Sequence, residues 1–287
     1  MPSMLITGAG TGIGLATALH AARNGYRVQA GYLLPEHRKT LLTAAEAENL
    51  PLRPVELDVT DQADVDRVVA TAEEGGGVDV LVNNAGVGRL GPVEAIDDDT
   101  LRLVLEVNLL GALRMTRAVL PGMRSRRAGS IVVMSSVNGR IVLPAGGPYF
   151  ISKHALEAAS EMLAVEVRGY GIRVAIVEPG SFATDILREG LETVTPASGS
   201  PYEVVQRRSA AMVAQGMRHA GDPAEVARAV LAAVESPRPV LRHVVGRDAA
   251  MLLAARSRVT DEQWVEFGGL SSDEEYVAAM TDLMTRG

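Results

Sequence analysis

The sequence predicts an α/β fold: a doubly wound parallel sheet of about seven strands with helices on both faces. Short β-rich apolar segments alternate with longer segments of helical periodicity, and this alternation is typical of a parallel sheet. The candidate strands, such as residues 78–82, are mostly apolar without a two-residue alternation, as expected for strands buried on both faces. A glycine-rich turn follows the first strand, where open α/β sheets bind ligands.

Composition and charge exclude several classes of protein. The 287 residues are 47% apolar and 22% charged, so the chain can bury a core and is not disordered. Its 28 Lys and Arg against 35 Asp and Glu give a net charge of −7, which argues against nucleic acid as a partner. The absence of cysteine excludes disulfides, a thiolate nucleophile and cysteine-based metal sites.

Two features that the sequence lacks bear on the location of the protein in the cell. No apolar run reaches the roughly 18 to 20 residues needed to cross a bilayer, so we expect no membrane span. The first residues lead directly into a strand and leave no room for a signal peptide, so we expect a cytoplasmic protein.

The elements follow one another in a regular order. The predicted strands are Met4–Thr7, Tyr26–Ala30, Leu52–Leu57, Val78–Val82, Ile131–Met134, Arg173–Val177 and Val240–Val245. The predicted helices are Gly12–Asn24, Pro35–Glu48, Asp61–Glu74, about Asp97–Met123, about Tyr149–Gly169 and about Pro223–Glu235. No linker interrupts this series, so residues 1–246 form one domain. An excursion at 180–221 and a tail at 247–287 lie outside the alternating pattern.

The glycine-rich turn reads Thr7-Gly8-Ala9-Gly10-Thr11-Gly12-Ile13-Gly14, a T-G-x3-G-x-G spacing. Glycines allow close approach of a pyrophosphate, and the following helix N-terminus offers free N–H groups. A purely structural turn is the alternative, but the position between the first strand and the first helix favours a Rossmann-type dinucleotide site. The candidate cofactor-binding residues here are Gly8, Thr11, Gly12, Ile13 and Gly14.

The end of the second strand is where such folds read the adenosine ribose. Tyr32 lies there, and no carboxylate does. Glu36 follows a proline and fits the first turn of the next helix, where an acid complements the dipole. The basic run at 37–39 either meets a 2′-phosphate or is a solvated helix face. We favour NADP over NAD and keep both open.

The third strand ends in a second candidate for the adenosine site. Asp58 and Val59 lie at the carboxyl edge, where an adenine amine could be met. The alternative for Asp58 is a turn residue before the next helix.

A phenol and an ammonium, Tyr149 and Lys153, lie four residues apart on one helix face. A free phenol has a pKa of about 10, so its pKa lies roughly three units, or about 4 kcal/mol, above the value suited to proton transfer near pH 7. A fixed positive charge nearby stabilises the phenolate. The pair is therefore a candidate for proton transfer, although a packed tyrosine with a solvated lysine is the simpler alternative.

Three more motifs follow strands: Asn83-Asn84-Ala85-Gly86, Ser135-Ser136 and Pro179-Gly180. Together with the glycine turn and the Tyr–Lys pair, they resemble the short-chain dehydrogenase/reductase family from Met4 to about Gly246. A looser likeness to the hydroxysteroid and retinol dehydrogenase-like branch implies a bulky apolar ketone or alcohol.

The resemblance implies roles for individual residues. Tyr149 matches the catalytic acid or base, Lys153 the lysine that holds the nicotinamide ribose, and Ser136 the serine that polarises the substrate oxygen. Asn108 matches the asparagine that holds a relay water. The remaining matches are to cofactor contacts: Asn83, Ala85 and Gly86 near the adenosine ribose, and Pro179, Gly180 and Thr184 near the nicotinamide carboxamide.

The resemblance also implies a homodimer or homotetramer, and the leucine-rich stripe of the long helix is either core or subunit contact. The apolar residues of the excursion form either a lid over a cleft or ordinary helix packing. The tail either caps the cleft or contacts a neighbouring subunit. The five histidines show no metal-ligand spacing, so we predict no metal site.

The predicted function is an NAD(P)-dependent oxidoreductase acting on a small-molecule ketone or secondary alcohol. Two rivals remain at this point. One is a dinucleotide-binding sensor or scaffold without turnover, and the other is a redox-neutral isomerase or eliminase that uses the same site.

Overall fold

The computed structural model describes residues 1–196 and 198–285. In these residues seven strands form one sheet, in which every pairing is parallel. The strands are β1 (Ser3–Ile6), β2 (Arg27–Tyr32), β3 (Leu52–Glu56), β4 (Val80–Asn83), β5 (Gly129–Met134), β6 (Ile172–Pro179) and β7 (Arg242–Val245). Their spatial order is β3-β2-β1-β4-β5-β6-β7. The chain therefore proceeds from β1 to β3 in one direction across the sheet, crosses to the other side of β1 to form β4, and continues from there to β7.

The helices of the main domain are α1 (Gly12–Arg23), α2 (Pro35–Glu48), α3 (Gln62–Glu74), α4 (Asp98–Leu105), α5 (Ala112–Arg126), α6 (Gly147–Val167) and α9 (Pro223–Glu235). The excursion contains α7 (Asp185–Val194) and α8 (Glu203–Arg218), and the tail contains α10 (Arg247–Arg256), α11 (Asp261–Glu266) and α12 (Asp273–Thr285).

The sheet separates two apolar cores. Met4 and Ile6 of β1 pack with α1, α2 and α9 on one face, whereas Leu5 packs with α3, α5 and α6 on the other. All three side chains are at most 1% exposed. Both faces of the central strand are therefore apolar, which explains why the strand sequences lack alternation. The predicted fold class is confirmed.

One helix that the sequence predicts as continuous is interrupted. The segment expected as a single helix from about Asp97 to Met123 is two α-helices joined by a π-helical turn at Glu106–Gly111. This turn carries Asn108, whose side chain bonds to the loop after β4. A π-helical turn widens the helix by one residue and is often found at functional sites.

The tail packs on its own chain. Ala249 of α10 is fully buried against Val137 and Ile141, which follow β5. The Trp264 indole N–H donates to the Val142 carbonyl at 3.0 Å, and Arg208 of α8 pairs with Asp273 of α12 at 2.9 Å. Of the helices that the structure describes, none combines the length and apolarity that crossing a bilayer requires.

Candidate active site

One large cavity opens at the carboxyl edge of the sheet, with a volume of about 810 Å³. Every residue predicted to bind cofactor or substrate lines it, except Asn83 and Asn108. Asn83 is buried and donates to the Thr116 hydroxyl at 3.0 Å, so it supports the sheet from behind the cavity. The predicted constellation is thus assembled in one place by the ends of six strands, β1 to β6.

The glycine turn presents bare backbone to the cavity. Gly12 has a φ of +52°, a left-handed conformation that favours glycine. A Cβ at Gly14 would overlap the Gly8 carbonyl and the Asn84 amide. Thr11, at the N-cap of α1, makes no capping bond within the described residues. The first N–H groups of this helix are therefore available to a pyrophosphate, and the turn fits a dinucleotide.

Asn84 is a site residue that the sequence analysis did not single out. Its amide donates to the carbonyls of Thr7 at 3.0 Å and Gly8 at 2.9 Å, and it lines the cavity. The Thr7 hydroxyl in turn accepts from the N–H groups of Asn84 and Ala85. These bonds join the turn after β1 to the end of β4. The adjacent pair of asparagines was the only signal, and spacing alone did not distinguish them.

The corner after β2 contains few cations. Tyr32, Leu33, Glu36 and His37 line the cavity there. Arg38 and Lys39 are exposed and lie outside the lining, as expected for a solvated helix face. Glu36 lies in the first turn of α2, as predicted.

Asp58 has the turn role that the sequence analysis gave as its alternative. Its carboxylate accepts from the Thr60 N–H at 2.8 Å and from the Thr60 hydroxyl at 2.7 Å. It nevertheless lines the cavity, together with Val59. Asp61, not Asp58, is the N-cap of α3.

Tyr149, Lys153 and Ser136 meet on the cavity wall. The Lys153 ammonium lies 5.6 Å from the centre of the Tyr149 ring and donates to the Met134 carbonyl at 2.7 Å. The Ser136 hydroxyl donates to the Pro179 carbonyl at 3.4 Å and acts on the Tyr149 side chain, whose pKa it lowers. The same hydroxyl also accepts from the Asn138 N–H at 3.2 Å. The hydroxyl of the neighbouring Ser135 is buried without a partner in the described residues.

The prediction that Tyr149 has a lowered pKa is wrong for the protein without a bound cofactor. Burial raises the pKa of Tyr149 to about 12, and the Ser136 hydroxyl lowers it only partly. Burial also lowers the pKa of Lys153 to about 8, although the Glu157 carboxylate acts in the opposite direction. The physical reason is that both groups lose water, and desolvation disfavours the charged form of each.

The Asn108 side chain is hydrogen-bonded to the loop that follows β4. Its side-chain oxygen accepts from the Val87 N–H at 2.8 Å, and its amide donates to the Val87 carbonyl at 3.1 Å and the Ser152 hydroxyl at 3.0 Å. The side chain therefore ties this loop to helix α6, three residues after Tyr149. It lies behind the cavity wall rather than on it.

A buried ionic cluster lies behind Lys153. Glu178 is fully buried and Glu157 is 4% exposed. The Arg242 guanidinium Nε lies 3.1 Å from a Glu157 oxygen and 3.3 Å from a Glu178 oxygen, and Arg140 lies 3.1 Å from Glu178. Burial and the Glu157 carboxylate raise the pKa of Glu178, and Arg140 opposes them. The cluster joins α6, β6, β7 and the segment that follows Ser136.

The remaining part of the cavity has many apolar residues, together with the charged side chains of Asp185, Arg188 and Glu189 from α7. The excursion contributes Ile186 and Leu187 from α7 and Met212 and Val213 from α8, and the tail contributes Leu252. Leu90, Leu143 and Phe150 complete this part. Val194 of the excursion is instead fully buried and does not line the cavity. Some residues of the excursion thus line the cavity and others pack inside the protein, and its role as a lid stays a prediction.

Comparison with known proteins agrees with this geometry. Residues 2–194 match the family model described as short chain dehydrogenase. Human 17-beta-hydroxysteroid dehydrogenase type 1 is 36% identical, with 96% of this chain and 84% of that protein covered. Bovine retinol dehydrogenase 8 is also 36% identical, with 89% of this chain and 85% of that protein covered.

Solved structures show the same fold. A short-chain dehydrogenase from Streptomyces avermitilis matches with a TM-score of 0.77 at 35% identity, covering 94% of this chain and 98% of that one. A short-chain dehydrogenase/reductase from Burkholderia phymatum in complex with NAD matches with a TM-score of 0.78 at 25% identity, covering 90% and 93%. The chain belongs to the short-chain dehydrogenase/reductase family, and it is an oxidoreductase of the kind that uses a nicotinamide dinucleotide.

Proposed function

We propose that this chain interconverts a bulky apolar ketone and the corresponding secondary alcohol, with Tyr149 as the general acid or base. The observation that carries the proposal is that Tyr149, Ser136 and Lys153 line the same cavity as the glycine turn and the apolar side chains of the excursion, so that all three adjoin the junction of the proposed cofactor and substrate sites. A binding protein without turnover has no use for a phenol and an ammonium at that junction. The bound dinucleotide would supply or accept a hydride at C4 of its nicotinamide.

The side chains have separable tasks in this proposal. Ser136 holds the substrate oxygen beside Tyr149. In the reductive direction the Tyr149 hydroxyl gives its proton to the carbonyl oxygen, and in the oxidative direction the phenolate takes it back. Lys153 holds the nicotinamide ribose and stabilises the phenolate. Asn108 keeps the loop after β4 in place and supports a relay water that returns the proton to Tyr149.

The side chains of the protein do not by themselves make Tyr149 a suitable base for the proton transfer. A tyrosine pKa of about 12 is unfavourable for a base near neutral pH. A positively charged oxidised nicotinamide beside the phenol would lower this pKa by the same Coulomb effect as any neighbouring cation. We therefore expect the phenolate to form with oxidised cofactor bound and not in the free protein.

We propose NAD as the preferred cofactor, although the sequence alone favoured NADP. A 2′-phosphate needs cations, and the corner after β2 offers Leu33, Glu36 and His37 instead. The Glu36 carboxylate would repel a phosphate and can accept a hydrogen bond from a ribose hydroxyl. The two basic residues that supported NADP, Arg38 and Lys39, lie outside the cavity lining.

We also propose a homodimer or homotetramer formed through α4, α5 and α6. Large apolar side chains are exposed on α4 and α6, namely Leu103, Ile151, Met162 and Val165, with Val165 at 77%. Exposed apolar patches of this kind are typical of subunit contacts. Light scattering after size exclusion measures the assembly directly, and a monomer at micromolar concentration would contradict this part of the proposal.

The experiment for the main proposal has two stages. Titration with NADH and NADPH, followed by nicotinamide fluorescence, tests cofactor binding and preference. Turnover of a panel of bulky ketones and secondary alcohols, followed by absorbance of the reduced cofactor, then tests the chemistry. Failure of both cofactors to bind at micromolar concentrations contradicts the proposal. Product formation without net cofactor consumption would indicate a redox-neutral isomerase instead.

A further inference from the structure

Asp248 brings a carboxylate from the tail to the cavity wall. It lies in the first turn of α10, beyond the residues that match the family model. It nevertheless lines the cavity, next to the segment Pro179–Ser181 at the end of β6. This segment matches the loop that binds the nicotinamide carboxamide in the family. Asp248 is therefore placed at the nicotinamide end of the site.

The contact between Asp248 and this loop is direct. One carboxylate oxygen accepts from the Ser181 N–H at 2.7 Å. A Cβ on Gly180 would overlap the other oxygen, and a Cβ on Gly246 would lie 2.7 Å from it. Two glycines thus leave room for one carboxylate. The Gly180 N–H bonds to Val245 at 2.9 Å, so the same loop is held from two sides.

Asp248 differs in its charge environment from the other carboxylate at this strand end. No salt bridge to it occurs in the part of the chain that the structure describes. This contrasts with Glu178, at the same strand end, which has Arg140 and Arg242 as partners. A charge that lacks a partner and is partly shielded from water acts strongly on any charge that enters the cavity.

We propose that Asp248 is a positioning residue for the Pro179–Ser181 loop, and that its carboxylate strengthens binding of the oxidised cofactor relative to the reduced one. The inference rests on the proposed function. The oxidised nicotinamide ring carries a positive charge and the reduced ring is neutral, so a carboxylate nearby favours the oxidised form. The hydrogen bond to Ser181, by contrast, affects both forms alike.

The test separates these two effects with three substitutions. Asp248→Asn removes the charge and keeps an acceptor for the Ser181 N–H, Asp248→Ser removes the charge with a shorter acceptor, and Asp248→Ala removes both. Glu266→Gln is the control, because it removes one exposed carboxylate elsewhere in the tail. The dissociation constants for NAD⁺ and NADH are measured by calorimetry and nicotinamide fluorescence, with thermal unfolding as the check on folding.

The expected result is a change in the ratio of the two constants. Asp248→Asn and Asp248→Ser raise the ratio of the NAD⁺ constant to the NADH constant by about threefold to tenfold, and Glu266→Gln leaves it unchanged. Asp248→Ala weakens both forms in addition. A ratio that stays the same in the two uncharged polar variants overturns the inference while the proposed function stands. If the unmodified protein binds neither form, the proposed function itself fails.

Discussion

The carboxyl edge of the sheet and the helices that cover it hold their cavity residues by different means. At the edge, Ser136 and Gly180 follow strands whose backbones are hydrogen-bonded on both sides. In the cover, α8 is held to α12 by the contact of Arg208 with Asp273, and α11 is held by the hydrogen bond of Trp264 to Val142. Under the proposed function, residues at the edge take part in the chemistry and residues of the cover contact the substrate, so we expect substitutions in the two regions to affect different kinetic constants.

The largest effect is expected at the edge, from Tyr149→Phe. This variant keeps the ring and its contact with Phe150 but loses the transferable proton. Turnover should fall about a thousandfold, within the range for a lost general acid or base. Cofactor affinity and thermal stability should stay close to those of the unmodified protein. Steady-state kinetics with a fluorescence titration checks this, and retained turnover would refute the role of Tyr149.

The glycine turn should be the next most sensitive part of the edge. Gly14→Ala places a methyl group against the Gly8 carbonyl and the Asn84 amide. We expect a loss of about 1 to 3 kcal/mol of stability and more than a tenfold weaker affinity for NADH. Gly169→Ala is the matched control, because a Cβ there meets no atom within 4 Å. Equal effects of the two substitutions would show that the turn has no special constraint.

The buried ammonium of Lys153 should make stability depend on pH. Its pKa of about 8 lies below the unfolded value of about 10.4, so the unfolded chain binds more protons between these values. The free energy of unfolding should therefore rise from about pH 8 to pH 10, by at most about 1.4 kcal/mol per pH unit. The raised pKa of Tyr149 reverses the trend only above about pH 10.

Lys153→Met should abolish this slope. The chain has only two lysines, and Lys39→Met is the control because Lys39 is exposed. Urea unfolding at pH 8, 9 and 10, followed by fluorescence of the single tryptophan, measures the slope in each protein. A slope that persists in Lys153→Met would contradict the low pKa.

The smallest effect is expected in the cover. Leu252→Ala removes part of the apolar wall, and about 1 to 2 kcal/mol of substrate contact should be lost. KM for bulky ketones should rise about tenfold, with smaller changes in kcat and in the affinity for NADH. A variant in which kcat falls more than KM rises would place the tail in the chemistry and remove the distinction between the two regions.

The sequence predicts the parts of the fold and the site that depend on residues close together in the chain. The seven strands, the glycine turn and the Tyr149–Lys153 pair could all be predicted, because apolar runs, turn residues and helical spacing are local properties. The π-helical turn at Glu106–Gly111 could not, because it depends on a bond between Asn108 and a loop 21 residues earlier. Asp248 and Arg242 were missed for the same reason, since their partners lie 67 and 85 residues away.

The buried cluster behind Lys153 joins parts of the chain that are far apart in sequence. Arg242 enters the chain 85 residues after Glu157, and it also contacts Glu178 on the neighbouring strand. Until that arginine docks, two carboxylates would have to leave water with only Arg140 to compensate them, which is costly. We therefore expect the interior behind Tyr149 and Lys153 to be completed only when β7 is available. The last strand of the sheet would then fix in place a helix, α6, that is made much earlier.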